Sequence, residues 1–473
     1  MGRNPGTREP IEFGTDGWRA PLSLFTTDRV KMVAQAVASY LDSQDCTGPV
    51  AIGYDAREHS PKFADELGEV LAANGREVVI SDRDCPTPAL AWSVEQGEYA
   101  GGLVITASHN PPAYNGVKFV PGTGSPALPT VTDELERRLA TPKTNERNSK
   151  IRETDFLTPY IEHVSDFLRS QLGITPSLDG LTIAYDAMHG SGRGVTNEVL
   201  SRAGARVTSR RCSQEPDFGG TAPEPTAENA TALIEAVRNG KADIGFVNDG
   251  DSDRVGIVTP ERGFVDPNLV LALLYDFLLE HTDGDVVRTV STSSLVDRIA
   301  DAHDQAVHQT AVGFKWVAEA MDRHDALAGG EESGGYGISA HLQNKDGVLV
   351  ALVAAAAHVE QPLDTRIDEL FEKYGEIHQG RRSLDCPNEQ KATVLASLTE
   401  SNPETIAEVP VEDITTVDGM KIELEDGTWI LVRPSGTEPK LRIYAEAKSE
   451  SRLDTLLDAG ESFVGSNAEN HLS

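Results

Sequence analysis

Four short stretches of the chain carry residue types that chemistry needs and packing does not. Thr106-Ala107-Ser108-His109-Asn110-Pro111-Pro112 follows the apolar run Gly102-Leu103-Val104-Ile105. A buried strand that stops in small residues, a hydroxyl and two prolines predicts Ser108 at an exposed, backbone-rigid position suited to a nucleophile. His109 is placed to polarise its neighbour, Asn110 to tie the turn through its own backbone, and Lys118 to return positive charge nearby. The second stretch, Asn248-Asp249-Gly250-Asp251-Ser252-Asp253-Arg254, joins the apolar runs Asp243–Val247 and Val255–Val258. Three carboxylates at alternate positions in so tight a loop repel one another unless a divalent cation neutralises them, and an oxygen-only cage suits Mg²⁺ or Ca²⁺. An EF-hand is excluded, because Arg254 and Pro260 stand where its glycine and its glutamate belong.

The third stretch, Gly329-Gly330-Glu331-Glu332-Ser333-Gly334-Gly335, offers Glu331 and Ser333 on a flexible support apt for sugar hydroxyls. The fourth, Arg433-Pro434-Ser435-Gly436-Thr437-Glu438-Pro439, offers a guanidinium, two hydroxyls and the Gly436 amide, a cradle of donors for a phosphate. Near the start, Phe13-Gly14-Thr15-Asp16-Gly17-Trp18-Arg19 places glycines around a carboxylate with Arg19 just beyond, and reads as an anion-binding loop. Gly190-Ser191-Gly192-Arg193-Gly194 is not a dinucleotide fingerprint, since Val195 replaces the glycine that G-x-G-x-x-G requires.

The elements that must position these loops alternate in type. A helix from about Asp28, with Val30, Val33, Ala34, Val37 and Leu41 on one face, precedes strand Val50–Asp55. Helix Pro61–Asn74 and strand Glu77–Ile80 follow, a β-α-β rhythm that marks a mostly parallel sheet. Arg57 and Ser60 fall in its first connection, where ligands of such sheets collect. A helix from about Thr158 to Leu172 leads out of this unit. Strand Leu181–Asp186 opens a second α/β unit and helix Leu269–Leu279 a third, with Asn344-Lys345-Asp346-Gly347 ahead of a helix rich in Val and Ala. After a linker over Gln379–Asn388, Lys421–Leu424 and Trp429–Val432 flank Asp426-Gly427, a hairpin signal in a segment unlike the others.

At 473 residues the chain predicts roughly three or four domains of about 100–150 residues each. No stretch approaches the run of roughly 18 apolar residues that a membrane helix needs, and Met-Gly-Arg-Asn-Pro has no apolar signal core, so a cytoplasmic protein is expected. Cys46, Cys85, Cys212 and Cys386 form no C-x-x-C pair and read as free thiols, most of them buried. The net charge of -33 argues against nucleic acid and anionic membranes as partners. Acidic residues spread along the chain, with Arg outnumbering Lys, resemble the proteins of salt-loving microbes, whose self-repulsion is screened at high ionic strength.

Together, the T-A-S-H-N-P, D-G-D-x-D-R, G-E-x-S-G and R-P-S-G-T-E-P segments resemble, in order and spread, those of the α-D-phosphohexomutase superfamily, which includes phosphoglucomutases, phosphomannomutases and phosphoglucosamine mutases. The resemblance implies a four-domain α/β molecule, three related α/β domains with mixed sheets and a smaller C-terminal α+β domain. The four domains are expected over residues 1–155, 156–263, 264–378 and 379–473. It implies further that Ser108 carries the phosphoryl group and that Asp249, Asp251 and Asp253 hold Mg²⁺ together with a phosphoserine oxygen. Glu331 and Ser333 would grip sugar hydroxyls, and Arg433, Ser435, Gly436 and Thr437 the phosphate not being transferred.

Where some members have His after S-G in the sugar loop, this chain has Gly335, which puts a histidine acid-base at that point in doubt. Lys345, in a Lys-Asp-Gly that resembles members with glucose-phosphate activity, stands beside Lys118 as the alternative. The expected reaction interconverts hexose 1-phosphate and hexose 6-phosphate, glucose first and mannose besides, through a sugar 1,6-bisphosphate, with Arg19, Arg254, Lys118 and Lys345 neutralising the phosphates. Proton transfer would fall to Lys118 or Lys345, with pKa values lowered among cations. The rival readings are a phosphoglucosamine mutase, a phosphatase that hydrolyses its phosphoserine, and a non-catalytic acidic protein that binds divalent ions or sugar phosphates. The sequence carries no signal for an oligomeric state.

Overall fold

A computed structural model describes residues 10–143, 149–174, 177–435 and 438–472. The chain divides into two compact units, Met1–Gly284 with Gly313–Asp364, and Asp285–Val312 with Thr365–Ser473.

The first unit contains two sheets that hold the candidate loops. In one, β1 (Trp18–Pro21), β2 (Val50–Tyr54), β3 (Val78–Ser81), β4 (Gly101–Ile105), β5 (Tyr114–Pro121) and β6 (Ile151–Thr154) lie in the order β1-β5-β4-β2-β3-β6. β2 is parallel to β3 and β4, whereas β5 runs antiparallel to β4 and β1. β3 and β4 are buried along their whole length and β2 over all but Tyr54, which is why these strands read as continuous apolar runs rather than alternating ones. Helices Thr27–Ser43 and Ser60–Ala73 pack on this sheet, and Val33, Val37, Phe63, Leu67, Ile52 and Leu103 share one core. Trimming Leu67 to Ala there costs about 2–5 kcal/mol. β4 delivers the Ser108 turn at its C-terminal end, and its pairing with β5 sets Lys118 directly opposite Val104.

In the other sheet, β7 (Thr182–Asp186), β8 (Arg206–Arg210), β9 (Ile244–Asn248), β10 (Val255–Thr259) and β11 (Gly263–Phe264) lie in the order β11-β10-β9-β7-β8. β9 and β10 form a hairpin, Asn248 opposite Val255, and its connection is the aspartate loop. A second hairpin pairs Ala328–Gly330 with Tyr336–Ile338 and carries Glu331 and Ser333 in its turn. The Asp346 carboxylate caps helix Gly347–Glu360, accepting from the Val348 and Leu349 amides, and so fixes Lys345 just before the helix start.

In the second unit Val286–Thr289 runs parallel to Val307–Thr310. A six-stranded antiparallel sheet follows, in the order His378–Asp385, Lys440–Ala447, Trp429–Pro434, Met420–Leu424, Val409–Thr415, Thr405–Ile406. The Asp426-Gly427 hairpin forms as read, the Gly427 amide donating to the Leu424 carbonyl. The linker expected over Gln379–Asn388 does not exist: His378–Asp385 is a strand and a helix starts at Asn388. This is an edge strand paired on one side, with no fully buried residue, so polar side chains occupy it without cost and its composition imitates a linker. Cys85 and Cys386 are buried, but Cys46 and Cys212 are only half-buried, so the expectation that most of the free thiols are hidden holds for two of them.

Candidate functional site

Ser108 is held in the left-handed region, φ 51°, which a non-glycine residue keeps only when its surroundings enforce it. The enforcement is visible. Arg57, 2% exposed, donates from its guanidinium to the carbonyls of Ser108, Asn110, Pro111 and Tyr114, all within 3.1 Å. Its Nε donates to Asp55 Oδ2 at 3.0 Å, and the same carboxylate accepts from Thr106 Oγ1 at 2.7 Å and Ser60 Oγ at 2.9 Å. The Ser108 amide in turn donates to Thr106 Oγ1 at 2.9 Å. Arg57 and Ser60 therefore build the turn rather than collect a ligand, correcting the reading of that connection.

Nor is Ser108 exposed; it is fully buried. The aspartate loop lies against it so closely that a Cβ at Gly250 would sit 2.6 Å from the Ser108 carbonyl oxygen. Ser108 Oγ donates to Asp249 Oδ2 at 2.6 Å and lies 3.3 Å from His109 Nδ1. Arg254, burial and Arg19 together press the His109 pKa far below its ordinary value, so the imidazole is neutral and adds no charge.

The three aspartates are fully buried, and each offers a carboxylate oxygen within 4.8 Å of the others. One oxygen of Asp251 and of Asp253 is already committed. Thr87 Oγ1 donates to Asp251 Oδ2 at 2.6 Å, and Lys118 Nζ donates to Asp251 Oδ2 and Asp253 Oδ2, both at 2.8 Å. Their Oδ1 atoms have no hydrogen-bond partner among the described residues. Burial, then Asp251 and Asp253, drives the Asp249 pKa well above the usual carboxylate range. Buried, mutually repelling carboxylates with orphaned oxygens fit a hard divalent cation.

Around this cage stand the cations. Burial alone would lower the pKa of Lys118 and Lys345, but Asp16, Asp251 and Asp253 raise the first and Asp16 and Asp253 the second. The expectation of lowered lysine pKa values is overturned because each ammonium faces carboxylates as well as cations. Arg19 donates to Asp16 Oδ2 at 2.8 Å and to Asn110 Oδ1 at 3.4 Å. The Arg254 amide donates to Asp249 Oδ1 at 3.2 Å, and Arg254 bridges to Gly335. The aspartate loop and the Glu331–Gly335 turn are thus joined backbone to backbone. Glu331 is buried, accepts from the Gly313 amide at 2.9 Å, and is pushed up to about 7, mainly by burial and against the pull of Lys345. Ser333 is exposed on the same turn.

In the second unit, Arg433 donates to Asp418 Oδ2 at 2.8 Å, and that carboxylate also accepts from the Val312 amide at 3.1 Å. Ser435 is buried, and its carbonyl and that of Glu438 accept from Lys391 Nζ at 2.6 and 2.5 Å. Gly436 and Thr437 lie outside the described residues. Sequence reasoning missed Asp16, Thr87 and Lys391 as parts of these sites. Only Asp16, a carboxylate between two glycines, left a trace in the sequence.

Models of the phosphoglucomutase/phosphomannomutase alpha/beta/alpha domains I, II and III match residues 10–146, 158–263 and 266–374, and that of the C-terminal domain matches residues 384–460. The chain is 34% identical to the "Probable phosphoglucosamine mutase" of Methanopyrus kandleri, over 94% of this chain and 96% of that one. It is 30% identical to the "Phosphopentomutase" of Thermococcus kodakarensis, over 96% and 97%. Its fold matches a phosphoglucomutase/phosphomannomutase family protein of Burkholderia thailandensis with a TM-score of 0.83, 21% identity, and coverage of 96% and 97%. With all four domain models matched in order along the chain, this protein belongs to the α-D-phosphohexomutase superfamily of isomerases.

Proposed function

We propose that the chain interconverts hexose 1-phosphate and hexose 6-phosphate, glucose first and mannose besides, by way of a phosphoryl group on Ser108 and a sugar 1,6-bisphosphate. The observation that carries this is the 2.6 Å hydrogen bond from Ser108 Oγ to Asp249 Oδ2, which puts a strained serine hydroxyl directly against a carboxylate cage. Asp249, Asp251 and Asp253, with an oxygen of the phosphorylated serine, would hold Mg²⁺. When bound, the ion supplies positive charge that offsets the aspartates and the transferring group. A sugar hydroxyl oxygen bonds to phosphorus as the bond to Ser108 Oγ breaks; Oγ takes a proton from one lysine ammonium, and the amine so formed takes the proton that the sugar hydroxyl loses. Lys118 and Lys345, resting as ammonium groups, are the donors assigned to that proton, and in the return step the same groups act in reverse. Arg19 and Arg254 offset the charge of the phosphates. Glu331 and Ser333 hold sugar hydroxyls, while Arg433, Ser435, Gly436 and Thr437 hold the phosphate not in transfer.

Intact mass after incubation with glucose 1,6-bisphosphate should show one added phosphoryl group, mapped to Ser108; a label elsewhere would break this scheme. A phosphatase would release inorganic phosphate as fast as it isomerises. A pure binding protein would keep its function in Ser108→Ala. The 34% identical relative favours glucosamine phosphate as the second substrate reading. Turnover on glucose, mannose and glucosamine 1-phosphates separates them. The net charge of -33 supports adaptation to high salt, which requires stability and activity to be greater in molar KCl than in dilute buffer.

A further inference from the structure

Asp16 has no task in the scheme above, and a site that must receive two phosphate dianions gains nothing from a spare carboxylate. Its surroundings show what it does. Asp16 Oδ2 lies 2.8 Å from Lys118 Nζ, which lies 2.8 Å from Asp253 Oδ2. That oxygen lies 3.0 Å from Lys345 Nζ, and Lys345 Nζ lies 3.4 Å from Asp16 Oδ2. The four groups close a ring of alternating charge, two ammoniums and two carboxylates. The Arg19 guanidinium meets the same Asp16 oxygen at 2.8 Å from outside the ring.

The two lysines reach this ring from different parts of the unit, Lys118 from β5 and Lys345 from the residue before the Asp346 cap. Both side chains are about 5% exposed, at 6% and 5%. Asp253 is shared with the aspartate cage, so Asp16 is the carboxylate whose grip on both lysines is independent of the metal loop. Lys345 has a further constraint: a Cβ at Gly335 would lie 2.5 Å from its Cδ, so its stem fills the space over the sugar loop.

We propose that Asp16 is a positioning residue for phosphoryl transfer, one carboxylate oxygen that fixes Lys118, Lys345 and Arg19 relative to each other. The claim rests on the mutase reading. It explains how the two lysines keep a fixed spacing: both are tied to Asp16 Oδ2 and Asp253 Oδ2, with Lys118 held to Asp251 Oδ2 as well. Misplacing such groups by an ångström costs on the order of 100-fold in rate.

The test is a rapid-quench single turnover of enzyme phosphorylated on Ser108, mixed with glucose 1-phosphate, which reads the rate constant and the amplitude separately. Asp16→Asn should lower the rate constant about 100-fold, with the amplitude kept and KM changed less than about threefold. A rate constant within about threefold of the parent chain, or a lost amplitude at unchanged rate constant, overturns the proposal, the second because it is the mark of a merely structural role. Combining Asp16→Asn with Lys345→Gln should cost less than the product of the single losses, since both changes break one ring; multiplicative losses overturn it. A parent chain that takes no phosphoryl on Ser108 defeats the mutase reading itself and this proposal with it, whereas a normal parent beside an unimpaired Asp16→Asn defeats this proposal alone.

Discussion

On the proposed reading the Ser108 turn and the segment that begins at Arg433 would both handle phosphate, yet their described residues are built to different standards. The first is buried, strained in its backbone, and stapled by one guanidinium to four carbonyls, with Asp55 behind that guanidinium. In the second, Arg433 pairs with Asp418 at the strand end and Lys391 spans the carbonyls of Ser435 and Glu438. A reacting oxygen has to meet phosphorus at one distance and one angle, whereas a clamp has only to recognise a dianion, whichever end of the sugar presents it.

That contrast is open to attack, starting with the largest effect. Ser108→Ala should abolish turnover while sugar phosphate still binds by calorimetry; residual isomerisation would mean another group carries phosphoryl. Arg57→Ala removes one partner of a buried pair and leaves Asp55 uncompensated, so unfolding in urea should show a loss of about 3–5 kcal/mol. A loss below about 1 kcal/mol, as for surface pairs, would show that the turn is not stapled as described. Arg433→Ala should act on KM rather than kcat, with kcat/KM lower by roughly 10–100-fold, as for removal of a charged hydrogen bond worth about 1.5–3 kcal/mol. An equal fall in kcat would place that loop in the chemistry and erase the distinction.

The smallest effect is in pH. Burial raises Glu331 to about 7, so the neutral form predominates below that pH and the sugar loop loses its anionic acceptor. kcat/KM for glucose 1-phosphate should therefore fall as pH drops through about 7, and Glu331→Gln should flatten that limb. Stability runs the other way. A carboxyl whose folded pKa is raised stabilises the fold fully below its unfolded value and loses that contribution as pH rises through about 7, so Glu331→Gln should gain relative stability at pH 8 over pH 5.

The residues that sequence reasoning found are those with no packing task. Three aspartates between apolar strands, and a serine between a strand end and two prolines, stand out because burying them costs free energy that only function explains. Thr87 was invisible, since a threonine after a proline is ordinary helix-start chemistry, and only the fold sets it 2.6 Å from Asp251. The burial of Ser108 was missed for a related reason. A polar turn reads as surface, and what covers it arrives from a loop far along the chain. Strand His378–Asp385 was lost because an edge strand need not be apolar.

The approach of Lys345 to Gly335 matters to anyone redesigning this chain. A Cβ at that position would lie 2.5 Å from Lys345 Cδ, so any larger residue there requires the lysine stem to move. Position 335 can therefore be enlarged most freely when position 345 is shortened with it, and the two are best varied together.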